Sequence, residues 1–400
     1  MSSMFSGVRV LELAQFVYVP GAGALLADQG AEVIHVEPTG TGDPYRSLRV
    51  GDGREVGTVN LAMEQNNRGK KSIALDLKVP AGRDAFMALI KTADVFMTSV
   101  RPDAIARLGL EPEDLWAVQP RLIYARGNGL GFVGGEANKP GFDASAFWAR
   151  GGLAELMSPP GQPPTPPRPA FGDHSGSMAM AYGVAAALFD RERTGKGVLV
   201  ENSLLSTALW MISADVTYSQ VPGYKAHRAG GPKMPLISSY LTRDGVRIQL
   251  MLLNPQPHWP GFCGIIGVKE LVDDPRFANN DARMANAQEL SAIIGDSIGQ
   301  HDWAHWKPLF DAWDAPWELV QSVRDLFDDP QVRSNRMIRR LSIRGTEIAE
   351  VSSPVAFDGE TLAVTLEAAP ELGEHTEELL KSAGFDEGEI HQLKQSGAAQ

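Results

Sequence analysis

Among the residues of this chain, Asp173 stands where a carboxylate could do chemistry. It lies in Gly172-Asp173-His174-Ser175-Gly176-Ser177, directly ahead of a small-residue helix expected over Met178 to Arg193, which closes in Thr194-Gly195-Lys196-Gly197. A carboxylate at a helix N-terminus is held ionised by the free N–H groups and the helix dipole. An ionised carboxylate can attack an acyl carbon. A plain N-cap aspartate would have the same neighbours, so the residues alone leave both readings open.

Other candidates carry a weaker pattern. Arg68-Gly69-Lys70-Lys71, with Arg101 and Arg107, could neutralise a polyphosphate or form a solvated charged face. His301 and His305 are one helical turn apart, but Asp302 stands where a zinc-protease motif needs glutamate and no third ligand follows. With Cys263 as the single cysteine, an intramolecular disulfide and a cysteine-built zinc site are excluded, and no metal is expected. The turn Pro20-Gly21-Ala22-Gly23-Ala24, with Glu37 after the next strand, superficially resembles a dinucleotide fingerprint. Here Ala14 to Pro20 separates the glycines from the strand, which argues against a nicotinamide or flavin site. Asp325, Asp328 and Asp329 before Pro330 read as helix-terminus punctuation.

The elements that must position Asp173 alternate between strand and helix. A strand through Val8, Val10, Leu11 and Leu13 leads to a helix over Pro20 to Asp28 and a strand over Ala31 to Val36. The alternation returns as a strand at Lys71 to Leu77, a helix at Gly82 to Lys91, and strands at Asp94 to Thr98 and Leu122 to Arg126. Strands interleaved with helices predict a parallel sheet covered on both faces. The proline-rich stretch Ser158 to Pro169 is stiff and extended. After a helix over Leu204 to Tyr218, Arg243-Asp244-Gly245 between Ile237 to Thr242 and Val246 to Leu252 is a hairpin signal. The tail returns to helices, the last one capped by Asp386 and Glu389.

At 400 residues the chain is long enough for two domains. The expected division is a large α/β domain over 1–200, a linker helix over 201–224, a small α+β domain over 225–325, and a return to the large domain over 326–400. A net charge of −12 argues against a general nucleic-acid binder. No secretory leader is expected, and the longest apolar run, Met178 to Phe189, is too short to span a bilayer. A cytoplasmic protein is the expectation.

Together these segments resemble the class III CoA-transferase (CaiB/BaiF) family nearly end to end. The likeness rests on Gly7-Val8-Arg9-Val10-Leu11-Glu12, Gly30-Ala31-Glu32-Val33-Ile34-His35-Val36-Glu37-Pro38, Gly42-Asp43-Pro44-Tyr45-Arg46, Asn67-Arg68-Gly69-Lys70-Lys71-Ser72 and Leu75-Asp76-Leu77-Lys78. Further matches are Pro120-Arg121-Leu122-Ile123-Tyr124, Pro140-Gly141-Phe142-Asp143, Thr194-Gly195-Lys196-Gly197 and Leu372-Gly373-Glu374-His375-Thr376.

The resemblance implies an open-sheet, Rossmann-like large domain, a smaller α+β domain and an interlocked homodimer. It implies coenzyme A as co-substrate, acyl-CoA and a carboxylic acid as substrates, and Asp173 as the nucleophile. CoA would lie along the first domain, with Leu75 near the adenine, Ser99, Arg101 and Arg107 at the phosphates, and Lys139 and Phe142 beside the pantetheine arm. Oxyanion stabilisation is expected from backbone N–H groups at Gly230-Gly231, a shortened form of the family's glycine loop, or at the start of the Asp173 helix. The sequence departs from the family at Ser99, at Asp103 and at Phe147, where a glutamine is common. Phe147, Trp148, Met157 and Trp210 suggest a bulky apolar acyl group. Two rival readings are a 2-methylacyl-CoA racemase and a non-catalytic acyl-CoA-binding homologue. The racemases carry a His-Asp pair where this chain has Phe142-Asp143, and phenylalanine cannot carry a proton.

Overall fold

The computed structural model describes residues 4–48, 55–56, 59–224, 234–358, 360–361 and 367–400. Its chain forms two compact units, one of Met1–Met157, Pro163–Ala226 and Gln331–Gln400, the other of Ser158–Gln162 and His227–Pro330.

The strands are β1 (Arg9–Leu13), β2 (Glu32–Glu37), the two-residue β3 (Glu55–Val56) and β4 (Val59–Asn60), β5 (Lys71–Ala74), β6 (Val95–Thr98), β7 (Ile123–Asn128) and β8 (Leu199–Ser203). Six of them form one sheet in the order β5-β2-β1-β6-β7-β8. Every pairing in it is parallel. With β3 and β4 set aside, this is a doubly wound sheet in which the order reverses between β1 and β6. Both faces are buried, so alternate residues of one strand enter different cores. Val10, Val33, Val95 and Ile123 pack with α1 (Tyr18–Asp28) and α7 (Phe171–Thr194). Leu11, Ile34, Phe96 and Tyr124 pack with α3 (Pro80–Ile90), α4 (Pro102–Leu108) and the C-terminal helices Thr376–Ser382 and Glu387–Gln395. The last of these carries the reciprocal capping pair of Asp386 and Glu389.

Two differences from the sequence reading matter for the site. Helix α1 begins at Tyr18, two residues ahead of Pro20. Helix α7 begins at Phe171, seven residues ahead of Met178. The segment Gly172 to Ser177 has the composition of a loop, yet small residues there let α7 lie close to its neighbours. A Cβ on Gly172 would stand 2.3 Å from the Phe147 ring, and one on Gly176 would stand 2.6 Å from the Tyr18 ring. Close backbone approach supplies here the stabilisation that helix propensity does not.

The second unit carries a three-stranded antiparallel sheet of β9 (Ser239–Leu241), β10 (Arg247–Leu250) and β11 (Trp317–Leu319), with β9 and β10 joined through Arg243-Asp244-Gly245. Trp259, Phe262, Phe277, Ile294, Trp306 and Phe310 are buried around it. His301 and His305 stack ring on ring at 4.0 Å, and no metal-ligating group of three occurs among the described residues. No helix among the described residues is long and apolar enough to cross a membrane.

Candidate active site

In doubly wound sheets a ligand crevice forms at the carboxyl ends of the strands where the order reverses. A cleft of about 490 Å³ lies there. Gln15, Phe16 and Tyr18 reach it from the segment after β1, Ser99, Val100 and Arg101 from the segment after β6, and Gly127 to Gly129 from the end of β7. Lys139 to Phe142, Asp173 and Leu204 complete the wall. Asp173 is the one carboxylate among the described residues of this wall.

Asp173 is the third residue of α7, inside the first turn rather than at the cap. That shift changes its electrostatics. The buried Asp143, from the segment Asp143–Ala149, accepts the N–H groups of Gly172, at 3.2 Å, and of Asp173. The N–H of Phe171 goes to the Arg168 carbonyl and that of His174 to the Ala170 carbonyl. The first turn of α7 therefore has no donor left for the Asp173 side chain. Burial first, and then the charge of Asp143, pushes the Asp173 carboxyl up to about 7. The sequence reading of a helix terminus that favours the ion is overturned, because a second carboxylate has taken the terminus. The same occupation removes the α7 start as a source of oxyanion donors.

The entry to α1 is held by a buried charge network. Lys70 Nζ donates to Glu12 Oε1 at 2.8 Å, and His35 Nδ1 lies 2.7 Å from the same oxygen. His35 Nε2 faces Asp43 at 3.5 Å, and Asp43 accepts the N–H of Phe16 at 3.1 Å. Burial pushes the imidazole down, but Asp43 and Glu12 override it and raise its pKa to about 9. Phe16, at φ +66°, is kept in the left-handed region by this anchor. Its ring meets Phe142 edge to face at 5.5 Å, forming an apolar corner of the cleft.

A second cleft of about 820 Å³ is lined by Leu77, Lys78, Arg83, Arg107 and their neighbours, and it shares Ala104 of α4 with the first. Arg83 is committed to the carbonyls of Leu108 and Gly109. Lys78, Arg101 and Arg107 make no ion pair among the described residues. Their charges are open to an anionic ligand.

Several sequence candidates fall elsewhere. Arg68 is buried against Asp28, Lys70 against Glu12, and Lys71 bridges Glu32 and Glu378, so this cluster is internal pairing and not a phosphate site. The Leu75 side chain is in the core and its backbone pairs with Ala399; Leu77 is the residue that reaches a cleft. Ser99, Arg101, Lys139 and Phe142 line the first cleft and Arg107 the second. Lys139 also pairs with Glu136 at 2.7 Å. Phe147 and Trp148 are buried beneath α7, and neither they nor Met157 and Trp210 line the first cleft. Its apolar surface comes from Phe16, Val100, Phe142 and Leu204. Gly230 and Gly231 lie outside the described residues. Sequence reasoning missed Phe16, Tyr18 and Asn128. Their one signal was position, at or shortly beyond the carboxyl ends of strands of a parallel sheet, where ligands collect.

The model of CoA-transferase family III matches residues 5–376. The chain belongs to CoA-transferase family III. It is 33% identical to (R)-2-hydroxy-4-methylpentanoate CoA-transferase of Clostridioides difficile, with 98% of each chain covered. It is 32% identical to cinnamoyl-CoA:phenyllactate CoA-transferase of Clostridium sporogenes, over 98% of this chain and 96% of that one. Among solved structures, a CAIB/BAIF family protein from Brucella suis matches with a TM-score of 0.80 and 26% identity, covering 96% of this chain and 100% of the other. The protein is thus a class III CoA-transferase, an enzyme that uses coenzyme A as co-substrate.

Proposed function

We propose that Asp173 is the nucleophile of a double displacement that moves CoA from an acyl-CoA to a carboxylic acid. The observation that carries the reading is its place as the one carboxylate on the described wall of the switch-point cleft. Once deprotonated, Asp173 attacks the donor thioester; a C–O bond forms, the C–S bond breaks, and CoA leaves as thiolate from a mixed anhydride. The thiolate attacks the Asp173 carbonyl carbon and expels the donor carboxylate, leaving an aspartyl-CoA thioester. The acceptor carboxylate attacks that thioester and frees the thiolate. Attack of the thiolate on the acceptor carbonyl then gives the new acyl-CoA and restores Asp173. No step needs a histidine, and none lines the cleft among its described residues.

CoA would run between the two clefts past Ala104, its phosphates beside Arg101, Arg107 and Lys78, with Ser99 at the turn and Lys139 and Phe142 beside the pantetheine arm. The apolar corner of Phe16 and Phe142 favours a bulky apolar acyl group, as the names of the two clostridial relatives do. An interlocked homodimer is part of the same reading. Tyr182, Phe189 and Trp210 are 77%, 68% and 78% exposed, an apolar display that a partner subunit would cover. Cytoplasmic location is the companion expectation.

The test is Asp173→Ala, assayed over a panel of acyl-CoA donors and acids with cinnamoyl-CoA and phenyllactate as the first pair. Transfer should fall by at least about 1,000-fold while CoA binding persists. Hydroxylamine added during wild-type turnover should leave a hydroxamate at position 173. Normal exchange by Asp173→Ala would end the proposal.

A further inference from the structure

Tyr18 is a polar group in this cleft that the reaction scheme has not used. Its side chain is only 6% exposed, yet its hydroxyl has no hydrogen-bond partner among the described residues. A buried phenol without a partner is costly, and where one persists a ligand or a reacting group is its natural complement. Both Tyr18 and Asp173 line the first cleft, and the Asp173 charge acts directly on the phenol.

The fold goes to some length to hold this ring. A Cβ on Gly127 would stand 2.7 Å from one edge of it and 3.1 Å from its hydroxyl oxygen. A Cβ on Gly176 would stand 2.6 Å from the other edge. The ring is therefore clamped between the end of β7 and α7. Gly176 is three residues beyond Asp173 on the same helix face, so the clamped ring packs against the turn of α7 that carries the carboxyl, and both groups open on the same cleft.

From this geometry we infer that the Tyr18 hydroxyl is the oxyanion donor for the tetrahedral states formed at the Asp173 side-chain carbon. The inference rests on Asp173 as nucleophile. When the thiolate attacks the aspartyl carbonyl, its π pair moves to the oxygen, and Tyr18 donates a hydrogen bond to that oxygen without giving up its proton. Collapse expels the carboxylate and restores the carbonyl. The same donor serves when the acceptor acid attacks the aspartyl-CoA thioester. The backbone donors at the start of α7 are spent, since the N–H groups of Gly172 and Asp173 go to Asp143. Burial first, then the Asp173 charge, raises the phenol's pKa above its ordinary value, which keeps it a donor at every working pH.

The experiment is Tyr18→Phe in the full chain, beside Asp173→Ala and a protein with 3-fluorotyrosine at position 18. It uses the donor and acid pair that the wild type turns over. Tyr18→Phe should lower kcat roughly 100-fold, the usual loss for one oxyanion donor, with KM for acyl-CoA within about twofold and an unchanged melting temperature. The 3-fluorotyrosine enzyme, which keeps the donor, should recover to within about threefold of wild type. The inference is overturned if Tyr18→Phe keeps its kcat, if only KM moves, or if 3-fluorotyrosine fails to restore the loss. If Asp173→Ala keeps its activity, the nucleophile reading has failed instead, which the same panel distinguishes.

Discussion

Two clusters of buried ionisable groups lie in the large unit, and they are built on opposite terms. Beneath α1, Glu12, Lys70, His35 and Asp43 each face an opposite charge. At the head of α7, Asp143 and Asp173 are two acids side by side, and the nearby Tyr18 hydroxyl has no partner among the described residues. Burial works against ionisation in both. In the first it is overcome at Glu12, whose carboxyl stays below its ordinary range through Lys70 and His35, and at His35, while burial still lowers Lys70. In the second it prevails, and Asp173 rises to about 7. Compensated charge holds backbone in place, whereas uncompensated charge retains free energy for a ligand to release.

The sharpest way to break this contrast is to remove a partner from the compensated cluster. Glu12→Ala should leave Lys70 and His35 buried as cations and destabilise the fold by about 3–5 kcal/mol, read from urea unfolding at pH 7. A loss under 1 kcal/mol would mean that the network carries little. The uncompensated cluster should answer with the opposite sign. With its native pKa near 7 and an unfolded value near 3.8, Asp173 binds more protons folded than unfolded between those values. Stability from this group therefore falls as pH rises from 4 to 7, and Asp173→Asn, which cannot titrate, should escape the fall. Relative to wild type it should gain up to about 2 kcal/mol by pH 8, and a loss there would refute the electrostatic account. The smallest effect concerns rate. Transfer should show an acid limb near pH 7, with activity rising as Asp173 ionises. Asp143→Asn should move that limb to lower pH by less than about one unit, because burial, the larger cause, remains. A limb that stays put would remove Asp143 from the argument.

What the sequence made legible follows the same division. The strands announced themselves as runs of β-branched and apolar residues, and the β9–β10 turn through Asp244-Gly245. The Asp386 and Glu389 cap could be read because local chemistry decides it. Arg68, Lys70 and Phe147 could not be placed, since a cation or an aromatic in a loop looks the same whether it faces water or a buried partner. Leu75 was set beside a ligand although its side chain belongs to the core; the chain leaves the strand after Ala74, and Leu77, beyond the strand end, is the residue at a cleft. The true start of α7 was hidden because Gly172 and Gly176 are poor helix formers whose value lies in what they allow to approach, Phe147 and Tyr18, both distant in sequence.

Phe16 carries a last consequence. A phenylalanine at φ +66° sits where glycine would be more comfortable by roughly 1–2 kcal/mol. Replacement by glycine would relax the chain but strip the edge-to-face corner with Phe142 from the cleft. This position is therefore one where a search for heat-resistant variants and a search for better catalysts should pull in opposite directions.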